Sequence, residues 1–270
     1  LGVHRAALMA NLANAISLSG QESRNRTAGQ DDLFGSSDEL ELDVDWIDVA
    51  EYSEEERLKK EKKHLGLYLT GHPMNQYHKE LSNFISCTLS EVESAEGKQV
   101  TIAGLIIAMR TRNTRRGRMA LLTLDDQSAW LEIPIYSELY ETNKQLLQED
   151  RLVIISGKAG FDDFTGGTRV TAERIHDMDS ARETFATDLR ITLKKNSSDA
   201  LESLKSILQP VTGGTTPVII DYMNEQARAS IHLPREWCVH PSARLLEELA
   251  KLPGINRAVC EYNAAGARLH

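Results

Sequence analysis

Between residues 98 and 176 the apolar positions gather into five β-rich runs: "QVTIAGLIIAMR", "RMALLTLDD", "AWLEIPIY", "RLVIISGKAGF" and "TRVTAERIHDM". In the third, Leu131, Ile133 and Ile135 alternate with Trp130, Glu132 and Pro134, the period of two that a single buried face imposes on a strand. One helical stretch, "SELYETNKQLLQE", separates the third run from the fourth. Three strands, a helix and two strands is the order of an OB-fold, a small Greek-key barrel.

On either side the period changes. Residues 4–19 place Leu8, Leu12, Ala15 and Ile16 at helical spacing with Gly20 as a stop, as in the last helix of a preceding domain. A second helix is expected from Ser53, where Ser53 and Glu56 form an S-x-x-E capping box and Leu58, Leu65 and Leu69 follow. Its expected end is "TGHP", with Gly71 as a left-handed cap and Pro73 forbidding continuation.

Residues 187–262 alternate strand and helix: "TDLRITL", "SDALESLKSILQ", "PVIIDYM", "ARASIHL", "EWCVH", "PSARLLEELAKL" and "INRAVCEY", with helix starts at Ser198 and Pro241. The expected fold class is thus α+β in several domains: an OB-fold barrel and a small α+β C-terminal domain, preceded by helices and an acidic linker. The expected boundaries are 1–27 (helical), 28–52 (linker), 53–82 (connecting helix and turn), 83–180 (barrel) and 185–270 (last domain).

Charge sharpens this division. The 270 residues carry a formal net charge of -9, which excludes a surface built throughout to coat nucleic acid and leaves room only for a local basic patch. Asp31 to Glu56 contains twelve acidic residues and no Lys or Arg, the composition of a mobile linker. Cys87, Cys238 and Cys260 are far apart and suit neither a zinc site nor a disulfide framework, as expected of buried thiols in a reducing cytoplasm. No apolar run has the length of a membrane span, and a chain that opens on Leu1, mid-helix, is expected to be part of something longer.

The densest positive charge is "RTRNTRRGR", where Arg110, Arg112, Arg115, Arg116 and Arg118 occur without an acid. On the OB-fold reading it joins the first two strands, one of the two loops with which such barrels grip oligonucleotides, and guanidinium groups suit phosphate. The other gripping loop is "GFDDFTGG". Phe161 and Phe164 could stack bases, yet Asp162 and Asp163 would repel phosphate, which favours a Phe pair closing the barrel end. No third ligand stands near the two aspartates, so no metal is assigned there.

No nucleophile elbow, phosphate-binding loop or zinc-protease motif occurs, and His72, His78 and His176 stand singly, so no catalytic residue is assigned. In "AGQDDLFGSS", by contrast, Leu33 and Phe34 are two large apolar residues in an acidic tether. Burying each fully is worth roughly 1.5–3 kcal/mol, and a partner's pocket is the expected place, with Gln30 at its rim.

Together these residues resemble the C-terminal part of the bacterial DNA polymerase III alpha-subunit family, the replicative C-family DNA polymerases. The phrases that carry the resemblance are "RAALM" (5–9), "GQDDLFG" (29–35), "LGLYLTGHPMNQY" (65–77), "LTLDD" (122–126), "SGKAGFDDFTGG" (156–167) and "PSARLLEEL" (241–249). The resemblance implies a sliding-clamp (beta-subunit) motif at Gln30, Asp32, Leu33 and Phe34, single-stranded DNA at the barrel, and the clamp-loader tau subunit at the last domain. It also implies that nucleotidyl transfer, the Mg2+ it uses and the contacts to the exonuclease subunit lie elsewhere in the parent chain, leaving no catalytic residue, metal or cofactor in these residues. The competing expectations are the error-prone paralogue, an RNA-binding appendage of a tRNA synthetase, and a scaffold barrel that binds only protein.

Overall fold

The structure is a computed structural model that describes residues 3–27, 46–115, 117–162, 167–194, 200–223 and 228–262. Gln30, Asp32, Leu33 and Phe34, together with Arg116, Asp163, Phe164 and Ser198, lie outside the described residues, as does the side chain of Asp162. The chain divides into two compact units, Leu1–His72 and Pro73–His270, and the division falls within the segment 53–82.

The first unit holds α1 (Arg5–Thr27) and α2 (Glu54–Leu65). α1 runs through Gly20 rather than stopping there, because a mid-helix glycine costs only about 1 kcal/mol against alanine. Its expected apolar face is open: Leu8, Leu12 and Ile16 are exposed, while Ala6, Ala7 and Asn11 are buried. α2 begins at the expected place, with Ser53 Oγ accepting the Glu56 N–H at 3.2 Å, but this is one half of the expected capping box and the Glu56 carboxylate does not return to the Ser53 N–H. It ends five residues before the expected Gly71: Gly66 adopts φ 76°, a left-handed conformation that glycine takes without a Cβ penalty, and its N–H reaches the Lys62 carbonyl at 2.9 Å. Leu65 and Leu69 are consequently exposed, leaving only Leu58 of the expected leucine face buried.

Two polar side chains hold this unit. Asn11 clamps residue 47 at both ends of its peptide groups, Nδ2 donating to the Ile47 carbonyl and Oδ1 accepting the Ile47 N–H, each at 2.9 Å. The last stretch of the acidic segment is thereby anchored. Glu61 Oε2 accepts the N–H groups of Leu69 and Thr70 at 2.8 and 2.9 Å, while Oε1 accepts Arg5 Nη1 at 2.6 Å and the Thr70 hydroxyl at 2.9 Å. Burial works against this carboxylate's charge, but those donors outweigh it and lower its pKa to about 2.

The second unit starts with the short helix α3 (His78–Leu81) and then the barrel. Its elements are β1 (Gln99–Thr114), β2 (Gly117–Asp125), β3 (Trp130–Ile135), α4 (Ser137–Asn143), β4 (Leu152–Asp162) and β5 (Gly167–His176). The order is the expected one. The strands pair antiparallel as β3-β2-β1-β4-β5, and β3 packs against β5 to close the barrel. The alternation predicted for residues 130–135 is present: Ile133 and Ile135 are fully buried with Ile102, Ile106, Leu122, Leu124 and Ile155.

α5 (Met178–Phe185) leads directly into the last domain: β6 (Ala186–Leu193), α6 (Ala200–Leu208), β7 (Thr212–Thr216), β8 (Val218–Met223), β9 (Arg228–His232), α7 (Ala243–Lys251) and β10 (Ile255–Tyr262). The sheet order is β10-β6-β8-β9, with β6 and β8 parallel. Leu204, Leu208, Leu245 and Leu249 of the helices close one core with Leu189, Ile191 and Val218 of the sheet.

Two local expectations fail in this domain. "EWCVH" is a 3-10 turn followed by isolated bridges from Val239 to Thr212 and Thr216, because "TGGTT" occupies the neighbouring position as β7. The two backbones are so close there that a Cβ at Gly214 would lie 2.1 Å from the Val239 carbonyl oxygen. α7 is capped by Ser242, whose Oγ accepts the Leu245 N–H at 3.2 Å, so Pro241 precedes the cap instead of opening the helix.

Barrel and last domain share a joint built on Arg182 of α5, whose side chain is 4% exposed. Its Nε and Nη2 grip the two oxygens of Glu80 in α3 at 2.7 and 2.8 Å, and Nη1 reaches Asp179 at 2.6 Å. From the last domain, the Tyr262 hydroxyl donates to Glu80 at 2.5 Å and the Ala243 N–H to Asp179 at 2.9 Å. Around this network pack Phe84, stacked on Phe185 at 5.4 Å, with Met74, Leu81, Ala103, Ile154 and Met178.

Candidate nucleic-acid interface

Register decides where the arginines stand. The first strand continues past the barrel wall to Thr114, which pairs with Gly117, so "RTRNTRRGR" is the tip of a β-hairpin and not a free loop. Arg110 pairs with Leu121 and Arg112 with Met119, on the side opposite the core residues Ala120 and Leu122. Arg118 pairs with Asn113 and so faces the other way. Its Nη2 donates to the Thr111 hydroxyl at 3.1 Å, and its guanidinium lies 5.9 Å from the centre of the Tyr140 ring in α4. Arg115 is exposed at the turn. Of the five predicted arginines, the structure therefore brings Arg110 and Arg112 together on the outer face and sets Arg118 against α4.

The outer face continues across the barrel by the pairs Ala108–Thr123, Thr123–Glu132, Leu121–Pro134 and Asp125–Trp130. At the hairpin end, Arg169 of β5 hydrogen-bonds the hydroxyl of Tyr136, which is 44% exposed, and Phe161 is 56% exposed one residue beyond the Gly160–Arg169 pair. The expected closure of the barrel end by Phe161 is not seen, since that ring faces solvent. At the opposite end stands Trp130, 74% exposed. Alternation over residues 130–135 places Trp130 only on the solvent side of a strand. The signal in the sequence is its size, because tryptophan is highly buried on average and carries a large apolar ring.

No group of three or more His, Cys, Asp or Glu side chains with metal-binding geometry occurs among the described residues. His176 packs edge-on to Phe185 at 5.8 Å, and burial, then Arg174, lowers its pKa, so it is a neutral packing residue. Burial pushes the Cys260 thiol up to about 12 and raises Cys87 as well, which leaves both as protonated, poor nucleophiles. Among the described residues no helix is long and apolar enough to cross a membrane.

Comparison with known proteins matches this division of the chain. The family model described as "OB-fold nucleic acid binding domain" covers residues 100–178, the barrel itself. That described as "DNA polymerase III subunit alpha, C-terminal domain" covers residues 203–254. DNA polymerase III subunit alpha of Vibrio cholerae is 40% identical over 269 residues, 97% of this chain and 23% of that protein. The chain is similar to the C-terminal region of DNA polymerase III alpha subunits. The Escherichia coli K12 subunit is 38% identical over 270 residues, again 97% of this chain and 23% of its own length. The chain thus spans about a quarter of the length of the relatives it matches. Among solved structures, asparaginyl-tRNA synthetase from Pyrococcus horikoshii shares 21% identity over 34% of this chain and 23% of its own, at a TM-score of 0.28, too slight a likeness to carry an argument.

Proposed function

We propose that this chain is a tethering part of a replicative DNA polymerase alpha subunit. The observation that carries the proposal is the arginine hairpin, which extends beyond the wall of an OB-fold barrel in a chain whose relatives are polymerase alpha subunits. Arg110 and Arg112, with Arg115 at the tip, offer guanidinium groups to the phosphates of single-stranded DNA.

Gln30, Asp32, Leu33 and Phe34 are assigned to the sliding clamp, the two apolar side chains filling its pocket. Residues 185–270 are assigned to the clamp-loader tau subunit. Nucleotide transfer, with its Mg2+, is assigned to the remainder of the parent chain, in the cytoplasm. Linking several modest contacts raises the effective concentration of each at the primer end, so that avidity holds the polymerase in place.

The direct test is fluorescence anisotropy of a labelled oligo-dT with the chain and with a variant carrying Ala at Arg110, Arg112, Arg115 and Arg118. Weaker binding by the variant is the expected result; equal binding removes the hairpin from the interface.

A further inference from the structure

We infer that Trp130 is a base-stacking platform at the far end of the barrel's single-strand path. This rests on the single-strand reading of the barrel proposed above and names a residue outside the arginine hairpin.

The geometry starts from register. Trp130 pairs with Asp125 and lies on the same outer face of β1-β2-β3 as Arg110 and Arg112. From Asp125 to Met119, the partner of Arg112, is six residues along β2, about 20 Å at strand rise. A path of that length suits the lower end of the four- to sixteen-nucleotide range of OB-fold sites. Between its ends the face is small or apolar: Ala108, Thr123, Leu121 and Pro134, with Glu132 the acidic exception.

The ring is exposed, but its support is fixed. Asp126 Oδ1 accepts the Ser128 N–H at 2.9 Å, its hydroxyl at 2.6 Å and the Ala129 N–H at 3.2 Å, while Oδ2 accepts the Leu89 N–H at 2.8 Å. Asp125 Oδ1 accepts the N–H of Gln127, which holds φ 73°. The turn that presents Trp130 is thus tied down by five hydrogen bonds, so little backbone ordering entropy remains to be lost there when a ligand covers the ring.

Charge selects the ligand's pose. Asp125 and Glu132 flank Trp130 and disfavour phosphate directly over it, whereas Arg110 and Arg112 attract phosphate at the other end. A single strand meets both conditions when its backbone is held at the hairpin and a base turns inward onto the indole. The two ends then differ in kind: one binds by charge, the other by stacking, which any base can satisfy.

The test titrates oligo-dT into the intact chain, Trp130→Leu and Trp130→Phe, reading both anisotropy and tryptophan fluorescence at several salt concentrations. Trp130→Leu is expected to weaken binding roughly 5- to 150-fold, the range for losing one stacked base, without changing the slope of log affinity against log salt. Trp130→Phe, which keeps a ring, is expected to retain most of the affinity. Oligo-dT is expected to quench the fluorescence of the intact chain, and Trp130→Leu to lose that quenching although Trp46 and Trp237 remain.

Unchanged affinity and quenching in Trp130→Leu, with binding still dependent on the hairpin arginines, overturns the platform alone. No oligo-dT binding by the intact chain overturns the single-strand reading and the platform with it. A shift from dimer to monomer in sedimentation on Trp130→Leu, with DNA affinity intact, assigns the ring to a second copy of the chain and also overturns the proposal.

Discussion

Replacing Arg182 with Met separates the contribution of the buried joint from that of the surrounding apolar packing. The guanidinium satisfies both oxygens of Glu80 and one of Asp179, and its side chain is almost fully enclosed. Met fills similar volume but, among the described residues, leaves the Glu80 carboxylate with only the Tyr262 hydroxyl as a hydrogen-bond partner. Breaking one side of a buried pair typically costs about 3–5 kcal/mol, and the lower end applies here because Glu80 retains some contact with water. At about 2–4 °C per kcal/mol for a body of this size, the midpoint of thermal unfolding should fall by about 6–12 °C.

The pH dependence adds a sign. In the intact chain burial raises the Glu80 pKa, but the Arg182 and Tyr262 hydrogen bonds outweigh it and hold the carboxylate below its ordinary value of 4.5. Its stabilisation is therefore complete above that value and is lost as pH falls through the lower, folded one. Without Arg182 burial dominates, the carboxylate's pKa rises, and protonation relieves an unpaired charge. The gap between intact and variant chains should narrow between pH 7 and pH 5, as followed by urea unfolding with circular dichroism. A loss under 1 kcal/mol at pH 7, or a gap that does not narrow with acid, would refute the joint as a stabilising ion pair.

Three further outcomes follow from other parts of the chain. Glu61→Gln should make unfolding of the first unit less acid-sensitive. The intact carboxylate, with its pKa near 2, contributes stability above its ordinary value and loses it as pH falls towards 2, a window visible in acid titration by circular dichroism. Asn11→Ala should speed amide exchange at Ile47, since it removes both hydrogen bonds to that residue, and unchanged protection would mean the segment is held by something else. Leu33→Ala with Phe34→Ala should abolish calorimetric binding to sliding clamp while leaving the circular dichroism spectrum intact; equal affinity would sink the motif assignment.

Local chemistry is what sequence patterns carry well, and the barrel shows it. Alternation at Leu131, Ile133 and Ile135 sets both the strand and its buried face, and the placement of one helix among five strands sets the topology. Competition between similar local signals is harder to read: Gly66 and Gly71 are both credible helix ends, and only the loop's return to Glu61 selects the first. The joint was not legible, because Arg182 meets a carboxylate 102 residues away and that carboxylate meets Tyr262 across 182 residues, separations with no local period.

At the candidate site, arginine density marks a segment but not its division between two faces. Once the hairpin closes at Thr114 and Gly117, strand parity puts Arg110 and Arg112 on one face and Arg118 on the other. Trp130 is hidden for the opposite reason: an outward position in an alternating strand accounts for it fully, and alternation carries no information on side-chain size.

The most direct test of single-strand binding by the barrel's outer face is the salt dependence of oligo-dT affinity for the intact chain, for Arg110→Ala with Arg112→Ala, and for Arg118→Ala. Each phosphate contact on a single strand contributes about 0.7 to the slope of log affinity against log salt. The outer-face pair should therefore flatten the slope by about 1.4, and Arg118→Ala, which removes a side chain set against Tyr140, by less than half of that. An unchanged slope in the Arg110/Arg112 variant would contradict the account.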